Sequence, residues 1–521
     1  MHRDRDFDLG QPLPPAAEAL TQDLELNTLV NAMARGDQVV FKVATSAIVA
    51  SLRDRDSILY RQHILQDCLK HPAVVRQIYD LAKESIEGYR RSFWGWRYPG
   101  SILSGSIDSV KTFMVMLRKL RAIAIEHADH FESEGFAALF AMLIRELSDD
   151  YFATVQHHLQ ELSFRNGVLI SATLGVGNKG TNHVLRRQSG QDQSWFTQLF
   201  FSDGRPSFTV HVHPRDEAGS RALSDLRDRG INLVANALAQ SSDHILDFFT
   251  ALRTELAFYV GCLNLHDELE KRAGEMSFPV PASLDVRRHT CTGLYDVCLA
   301  LTIPEAAVSN DVSADDKDLV IITGANQGGK STFLRSIGVA QLMMQSGMFV
   351  GAQAFYANIC EGLFTHFKRE EDAMMESGKL DEELSRMSGI VDELRPNCML
   401  LCNESFAATN EREGSEIARQ IVCALLETRI KIVFVTHLFE LAHGFHERHM
   451  DNALFLRAER HADGERTFKL VEAEPLKTSY GVDLYKRIFM QDAEADGRQV
   501  GEQKEPEIAA SAHDGQPTPA A

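Results

Sequence analysis

The chain has 521 residues, 44% of them apolar, and a formal net charge of −19. It is long enough for large cores in about two to four domains, and it is not coated for non-specific nucleic-acid binding, although a local basic groove on an acidic body would still bind. The N-terminus MHRDRDFDLG lacks the apolar core of a secretory signal, and no run approaches ~18 apolar residues, so neither export nor a membrane span is expected.

Residues 1–21 are polar and contain proline, and they read as a loose arm. From 22 to 275 the pattern is mainly helical. Ile58, Leu65 and Leu69 share a face; Val110, Phe113, Leu117, Leu120 and Ala124 follow a 3-4-3-4 spacing, continued by Phe136, Leu139, Phe140, Leu143 and Leu147. Near 167 the texture changes. GVLISATLGVGNKGTNHVLRRQ and PSFTVHVHP predict short strands with Gly/Asn turns, a β-rich insertion over about 165–215. Helical spacing returns through Ile245, Phe248, Phe249, Leu252, Leu256, Tyr259 and Leu263. Two readings fit this order: an antiparallel arm with a β-containing tip, or a helical bundle with a hairpin insertion.

The Pro-rich break SFPVPASLD (277–285) opens a third region, 276–490. Strands at Leu319–Thr323, 399–402 and 431–436 alternate there with helices, as in an α/β domain with a largely parallel sheet. Residues 491–521 lack aromatics and read as a disordered acidic tail. The eight cysteines have no paired metal-ligand spacing; Cys398 and Cys402, in CMLLC, read as small buried residues. A reducing cytoplasm fits.

The strongest local signal is DLVIITGANQGGKSTFLRSIG (318–338). Gly324, Ala325, Asn326, Gln327, Gly328, Gly329, Lys330 and Ser331 match G-x-x-x-x-G-K-[ST], with a strand before and a helix after. The glycines let backbone N–H groups turn inward onto phosphate oxygens, and the helix N-terminus adds positive potential. Lys330 should reach the β- and γ-phosphates of ATP, and the Ser331 hydroxyl should ligate Mg²⁺. A second strand ends in Asn403-Glu404, within LLCNESFAATNEREG, where a nucleotide hydrolase usually carries Asp-Glu.

Taken with IVFVTHLFEL (432–441) and TSYG (478–481), these motifs resemble the MutS family of DNA mismatch-recognition ATPases, of the ABC type. The match runs from Thr323 to Thr332 in the first motif, reaches Gly414 in the second, and takes in Thr436, His437, Glu440 and Leu441 in the third. It implies an ABC-type P-loop ATPase domain behind a helical core and lever domain, with the β insertion as a clamp. It also implies a cytoplasmic homodimer with ATP sites shared between subunits, DNA as ligand, and a repair protein as a possible partner. Asn403 would hold Mg²⁺ through water, more weakly than Asp because hard cations favour carboxylates. Glu404 would position or deprotonate the attacking water, and His437 would sense the γ-phosphate.

The departures are specific. No Phe-x-Glu mismatch wedge occurs in the first 160 residues, and Phe445-His446-Glu447 fits only by letters. The chain therefore resembles a shortened MutS-like protein without the N-terminal reader. In ESGKLDEELSRMSGI (376–390), Ser377 and Gly378 either present a hydroxyl and a helix N-terminus to the other subunit's nucleotide or form a plain capped helix. YRRSFWGWRYPG (89–100) offers Arg90 and Arg91 among aromatics, either as a nucleic-acid surface or as a domain junction. Lys179, Arg186 and Arg187 on the insertion are candidates for DNA-backbone contact, against a solvated hairpin. An ABC-type clamp that grips a protein without DNA, or a nucleotide-gated clamp with little turnover, stands as the alternative function.

Overall fold

The computed structural model describes residues 2–92, 97–165, 167–187, 208–272, 274–369, 378–460 and 466–477. Its first half is helical: α1 (Ala17–Asp23), α2 (Leu26–Ala34), α3 (Gln38–Ala50), α4 (Arg55–Lys70), α5 (Pro72–Ser92), α6 (Pro99–His127), α7 (Glu134–Glu146), α8 (Asp149–Leu162) and the 54-residue α9 (Glu217–Glu270). Most of the periodic apolar positions are buried, with Leu69, Leu139, Ile245 and Phe248 partly so. Val110, Phe113, Leu117, Leu120 and Ala124 of α6 share one core with Phe249, Leu252, Leu256, Tyr259 and Leu263 of α9, each large side chain contributing about 1.5–3 kcal/mol by leaving water. Asp37 caps α3 by accepting from Val39 N at 2.9 Å, and it also accepts from Tyr79 Oη at 3.0 Å and Arg253 Nη2 at 3.4 Å. One carboxylate thus ties α3, α5 and α9 together, and these bonds hold it below the usual Asp range against its burial.

Between α8 and α9 stands an antiparallel hairpin, β1 (Leu169–Leu174) and β2 (Gly180–Arg186). The expected strand in PSFTVHVHP is not formed over 208–213: the alternation of Phe208, Val210 and Val212 is present, but no neighbouring strand pairs with it among the described residues. The expected loose arm is also corrected. Phe7 N–H donates to Glu255 Oε1 at 2.6 Å, Arg3 pairs with Glu134 at 2.7 Å, and Leu20 is buried in α1. A polar segment with few apolar residues gives no local sign of such long-range anchors.

The second half is α/β. A four-stranded sheet of β3 (Val280–Ala282), β4 (His289–Leu294), β5 (Asn310–Ser313) and β7 (Ala354–Asn358) has the order β3-β7-β4-β5. The helix α10 (Val297–Thr302) follows β4. The main sheet combines β6 (Leu319–Thr323), β8 (Leu363–Phe367), β9 (Met399–Asn403), β10 (Lys431–Val435), β11 (Ala453–Arg460) and β12 (Arg466–Glu472), in the order β12-β11-β6-β10-β9-β8. All neighbours are parallel except the β11–β12 edge pair. Helices α11 (Lys330–Gln345), α12 (Lys379–Glu393), α13 (Glu411–Glu427) and α14 (Phe439–His446) accompany it.

The inner strands are buried along almost their whole length, as expected where helices cover both faces of a parallel sheet. Seven cysteines are buried, including Cys398 and Cys402; Cys423 is partly exposed. Among the described residues no helix is long and apolar enough to cross a membrane.

Candidate nucleotide site

Register places the site. In β10, Val435 pairs with Ile322 on one side and Asn403 on the other, so β6, β9 and β10 end at one level. The glycine-rich loop, the Asn403-Glu404 turn and the Thr436-His437 turn therefore leave the same edge of the sheet, where ligands of open parallel sheets bind.

The loop needs its glycines for two reasons. Gly324 has φ 119° and Gly329, the residue capping α11, has φ 86°, both unfavourable for a side chain. Space is also short: a Cβ on Gly324 or Gly328 would lie 2.9 Å from the Ala458 Cβ of β11. Gln327 accepts a left-handed φ of 59° and is tied to Arg466 Nη1 of β12 at 2.5 Å. The edge hairpin β11–β12 is thus a wall of the loop, which no local motif announces.

Lys330 is only 4% exposed, and its Nζ donates to Gly324 O at 3.0 Å and Ala325 O at 2.8 Å. Burial lowers its pKa to about 8, opposed by the Glu404 carboxylate. The ammonium is therefore held inside the loop, beside the N-terminus of a 16-residue helix, an arrangement suited to anionic phosphate.

Ser331 Oγ donates to Asn403 Oδ1 at 2.9 Å. Two oxygen donors, one from the start of α11 and one from the end of β9, thus meet one residue beyond the lysine. The donor set fits Mg²⁺, which takes oxygen ligands and keeps several waters, with one carboxylate fewer than Asp would supply.

Glu404 has a left-handed φ of 55°, and its N–H donates to Val435 O at 2.9 Å, which fixes the turn after β9. Its carboxylate meets His437 Nε2 at 2.7 Å. That hydrogen bond is the main reason the Glu404 pKa lies below the ordinary value, against burial and with help from the charges of His437, Lys330 and Lys368. Two supports hold these turns, Gly414, which ends the second motif, and Glu411, which no motif singles out. A Cβ on Gly414 would come within 2.4 Å of Phe406 O, so α13 can pass the Glu404 loop only with glycine there. Glu411 Oε1, in the first turn of α13, accepts from Phe439 N at 2.9 Å and ties the His437 turn to the Glu404 turn. An acidic residue in a helix's first turn is too common to have singled it out.

The other candidates stand apart. Ser377 and TSYG (478–481) lie outside the described residues, as do 188–207 and the tail 491–521. Gly378 caps α12 and has open space around it. Arg90 and Arg91 end α5 exposed, Arg91 pairing with Glu87 at 3.4 Å. Tyr89 of the same stretch stacks on Phe113 and donates to Asp243 at 2.9 Å, anchoring a helix junction. On the hairpin, Lys179 is exposed, Arg186 Nε donates to Ser171 Oγ at 2.9 Å, and Arg187 pairs with Glu161 at 2.7 Å.

Comparison with known proteins gives two family matches: the MutS2 N-terminal domain over residues 53–272 and MutS domain V over 320–494. The chain is 32% identical over 167 residues to DNA mismatch repair protein MutS of Thermus aquaticus, covering 32% of this chain and 20% of that protein. To MutS protein homolog 4 of Homo sapiens it is 27% identical over 362 residues, 65% of this chain and 37% of the relative. Endonuclease MutS2 of Streptococcus uberis is 32% identical over 149 residues, 28% and 19% respectively. The chain thus spans well under half the length of each of these relatives.

Proposed function

This chain belongs to the MutS family, and from that premise we propose that it is an ATP-dependent DNA-binding protein of repair or recombination. In this reading residues 276–490 form an ABC-type P-loop ATPase domain that works as a homodimer with composite sites. ATP binding and hydrolysis set how the helical halves, with the β1–β2 hairpin as a clamp, hold mismatched, branched or duplex DNA.

The observation that carries this is the meeting of Lys330, Ser331, Asn403, Glu404 and His437 at three adjacent strand ends. Gly324 to Thr332 would wrap the phosphates with backbone N–H groups. Lys330 would exchange its two carbonyl partners for β- and γ-phosphate oxygens. Ser331, and Asn403 through water, would hold Mg²⁺, which supplies neutralisation of phosphate charge. Glu404, kept as a carboxylate, accepts a hydrogen bond from the attacking water and orients it in line. His437 holds that carboxylate and would sense the γ-phosphate.

Gly378, with Ser377, would act on the partner's nucleotide. Lys179, Arg186 and Arg187, and Arg90 and Arg91, would take phosphates of the DNA backbone, Arg187 by leaving Glu161. A repair protein would be a further partner.

The test is ATP turnover across Mg²⁺ concentrations, with and without duplex, mismatched and branched DNA, beside Glu404→Gln. Turnover that responds to DNA and falls by about 10²-fold or more in Glu404→Gln is expected. ATP binding without turnover at every Mg²⁺ level would instead make the chain a nucleotide-gated clamp, with Asn403 as the reason. Turnover indifferent to every DNA would favour a clamp on protein.

A further inference from the structure

Three consecutive residues of the helical half, Asp23, Leu24 and Glu25, are seated in the α/β half. Asp23 ends α1, and its carboxylate, with a side chain 3% exposed, pairs with Arg369 at 3.0 Å. Leu24 is fully buried: a Cβ on Gly338 of α11 would lie 2.8 Å from Leu24 Cδ2 and 2.7 Å from Leu401 Cδ1 of β9. Glu25 turns the chain with φ 54° and pairs with Arg335 of α11, whose guanidinium also holds Asp296, 1% exposed at its side chain. The Cys298 thiol donates to Glu25 O at 3.5 Å from α10.

Both arginines are rooted beside the two oxygen donors of the nucleotide site. Arg335 follows Ser331 by four residues, one turn along the same face of α11. Arg369 follows Lys368, whose N–H donates to Asn403 O at 2.9 Å just past the Phe367–Asn403 pair. A shift of Asn403 must therefore either carry Asp23 along or open an ion pair with a buried carboxylate, and a shift of Ser331 must either carry Glu25 along or open its half-exposed pair with Arg335. On the Asp23 arm, leaving the buried carboxylate alone is the costlier course.

Resting on the nucleotide-site reading above, we infer that Asp23-Leu24-Glu25 is the joint through which the state of the Ser331–Asn403 site reaches the helical half, with Arg335 and Arg369 as its positioning residues. The joint is a two-armed socket. One arm reports the helix that follows the glycine-rich loop, and the other reports the strand edge that carries Asn403. Leu24 fixes the distance between them by packing on Gly338.

The experiment compares wild type with Glu25→Gln. Glu25 is half-exposed and Arg335 keeps Asp296 in the variant, so the fold is retained. Hydrogen exchange over residues 20–34 is measured with and without a slowly hydrolysed ATP analogue and Mg²⁺, alongside nucleotide affinity and melting temperature in the same samples.

In wild type, nucleotide should change the protection of this segment. In Glu25→Gln that change should fall by about half or more, the Asp23–Arg369 arm remaining, while nucleotide affinity stays within about twofold, as expected for removing one partly exposed charge. A merely structural Glu25 would lower the melting temperature and leave the nucleotide-induced change intact, which overturns the inference. Saturating nucleotide that changes no protection in wild type overturns it as well. Failure of the chain to bind nucleotide at all would sink the nucleotide reading and the joint together, and the affinity measurement tells these cases apart.

Discussion

The strand-end site and the hairpin tip are built on opposite plans. At the strand ends nearly every residue is doubly held: Lys330 by two carbonyls, Asn403 by its side chain on Ser331 and its backbone in the strand, Glu404 by its carboxylate on His437 and its N–H on Val435 O. On the hairpin, Leu174 is 79% and Val176 98% exposed at the turn, and Arg187 keeps one exposed ion pair at the base. Chemistry on a phosphate needs groups fixed to fractions of an ångström. Gripping a charged polymer needs only charge in roughly the right place, with little cost for looseness. The two plans predict different responses to mutation.

The sharpest contrast comes from pH. Lys330 carries its charge below about 8, because burial has lowered its pKa. As pH rises through that value the ammonium is lost from the free protein, so ATP affinity should weaken by up to about tenfold per unit above it. Phosphate raises the lysine pKa again on binding, so titration calorimetry in buffers of different ionisation enthalpy should detect proton uptake as the pH passes the lysine's own value. Glu404, held below the ordinary carboxylate range, stays ionised from neutrality down to mild acid. No loss of turnover between neutrality and mild acid should trace to it. An ATP affinity that stays flat from neutrality to well above the lysine's value would mean that the phosphates do not meet Lys330.

Asn403→Asp comes next in size. Restoring a carboxylate opposite Ser331 should lower the Mg²⁺ concentration for half-maximal turnover on the order of tenfold. The maximal rate should change less, since Glu404 is untouched. An unchanged Mg²⁺ requirement would take Asn403 out of the metal's surroundings.

The tip should respond least. Lys179→Ala or Arg186→Ala is expected to weaken DNA binding about two- to threefold, uniformly across sequences, and to reduce the slope of log affinity against log salt by roughly one for each phosphate no longer neutralised. Fluorescence anisotropy at several salt concentrations measures both. A sequence-selective loss would mean that these residues read bases, and an unchanged slope would remove them from the interface.

What the sequence disclosed follows the same division. The glycine-rich loop, Asn403-Glu404 and His437 were legible because each combines a strand end with a local constraint, such as a glycine forced to positive φ or an apolar run that stops at one level. The helical cores were legible because 3-4 spacing survives tertiary packing, as Phe113, Leu117 and Leu120 show. The N-terminal arm was misread because its anchors, Glu255 and Glu134, lie 248 and 131 residues away. Alternation alone does not make a strand of 208–213, which has no paired strand among the described residues. Arg335, Arg369 and Glu411 left no local trace either. Each is an ordinary charged residue on or beside an ordinary element, and only register and crossing geometry give it a counterpart.

The 54-residue helix α9 has a mechanical corollary. At ~1.5 Å per residue it is about 80 Å long, with the hairpin near one end and the α/β half near the other. If the helical half turns as one body about its seat, a rotation of ~3° sweeps the far end through about 4 Å, the scale of the axial rise from one phosphate to the next along a strand of duplex DNA. Leverage of this kind would turn a sub-ångström adjustment at a strand end into a displacement of several ångströms at the hairpin, without melting any helix.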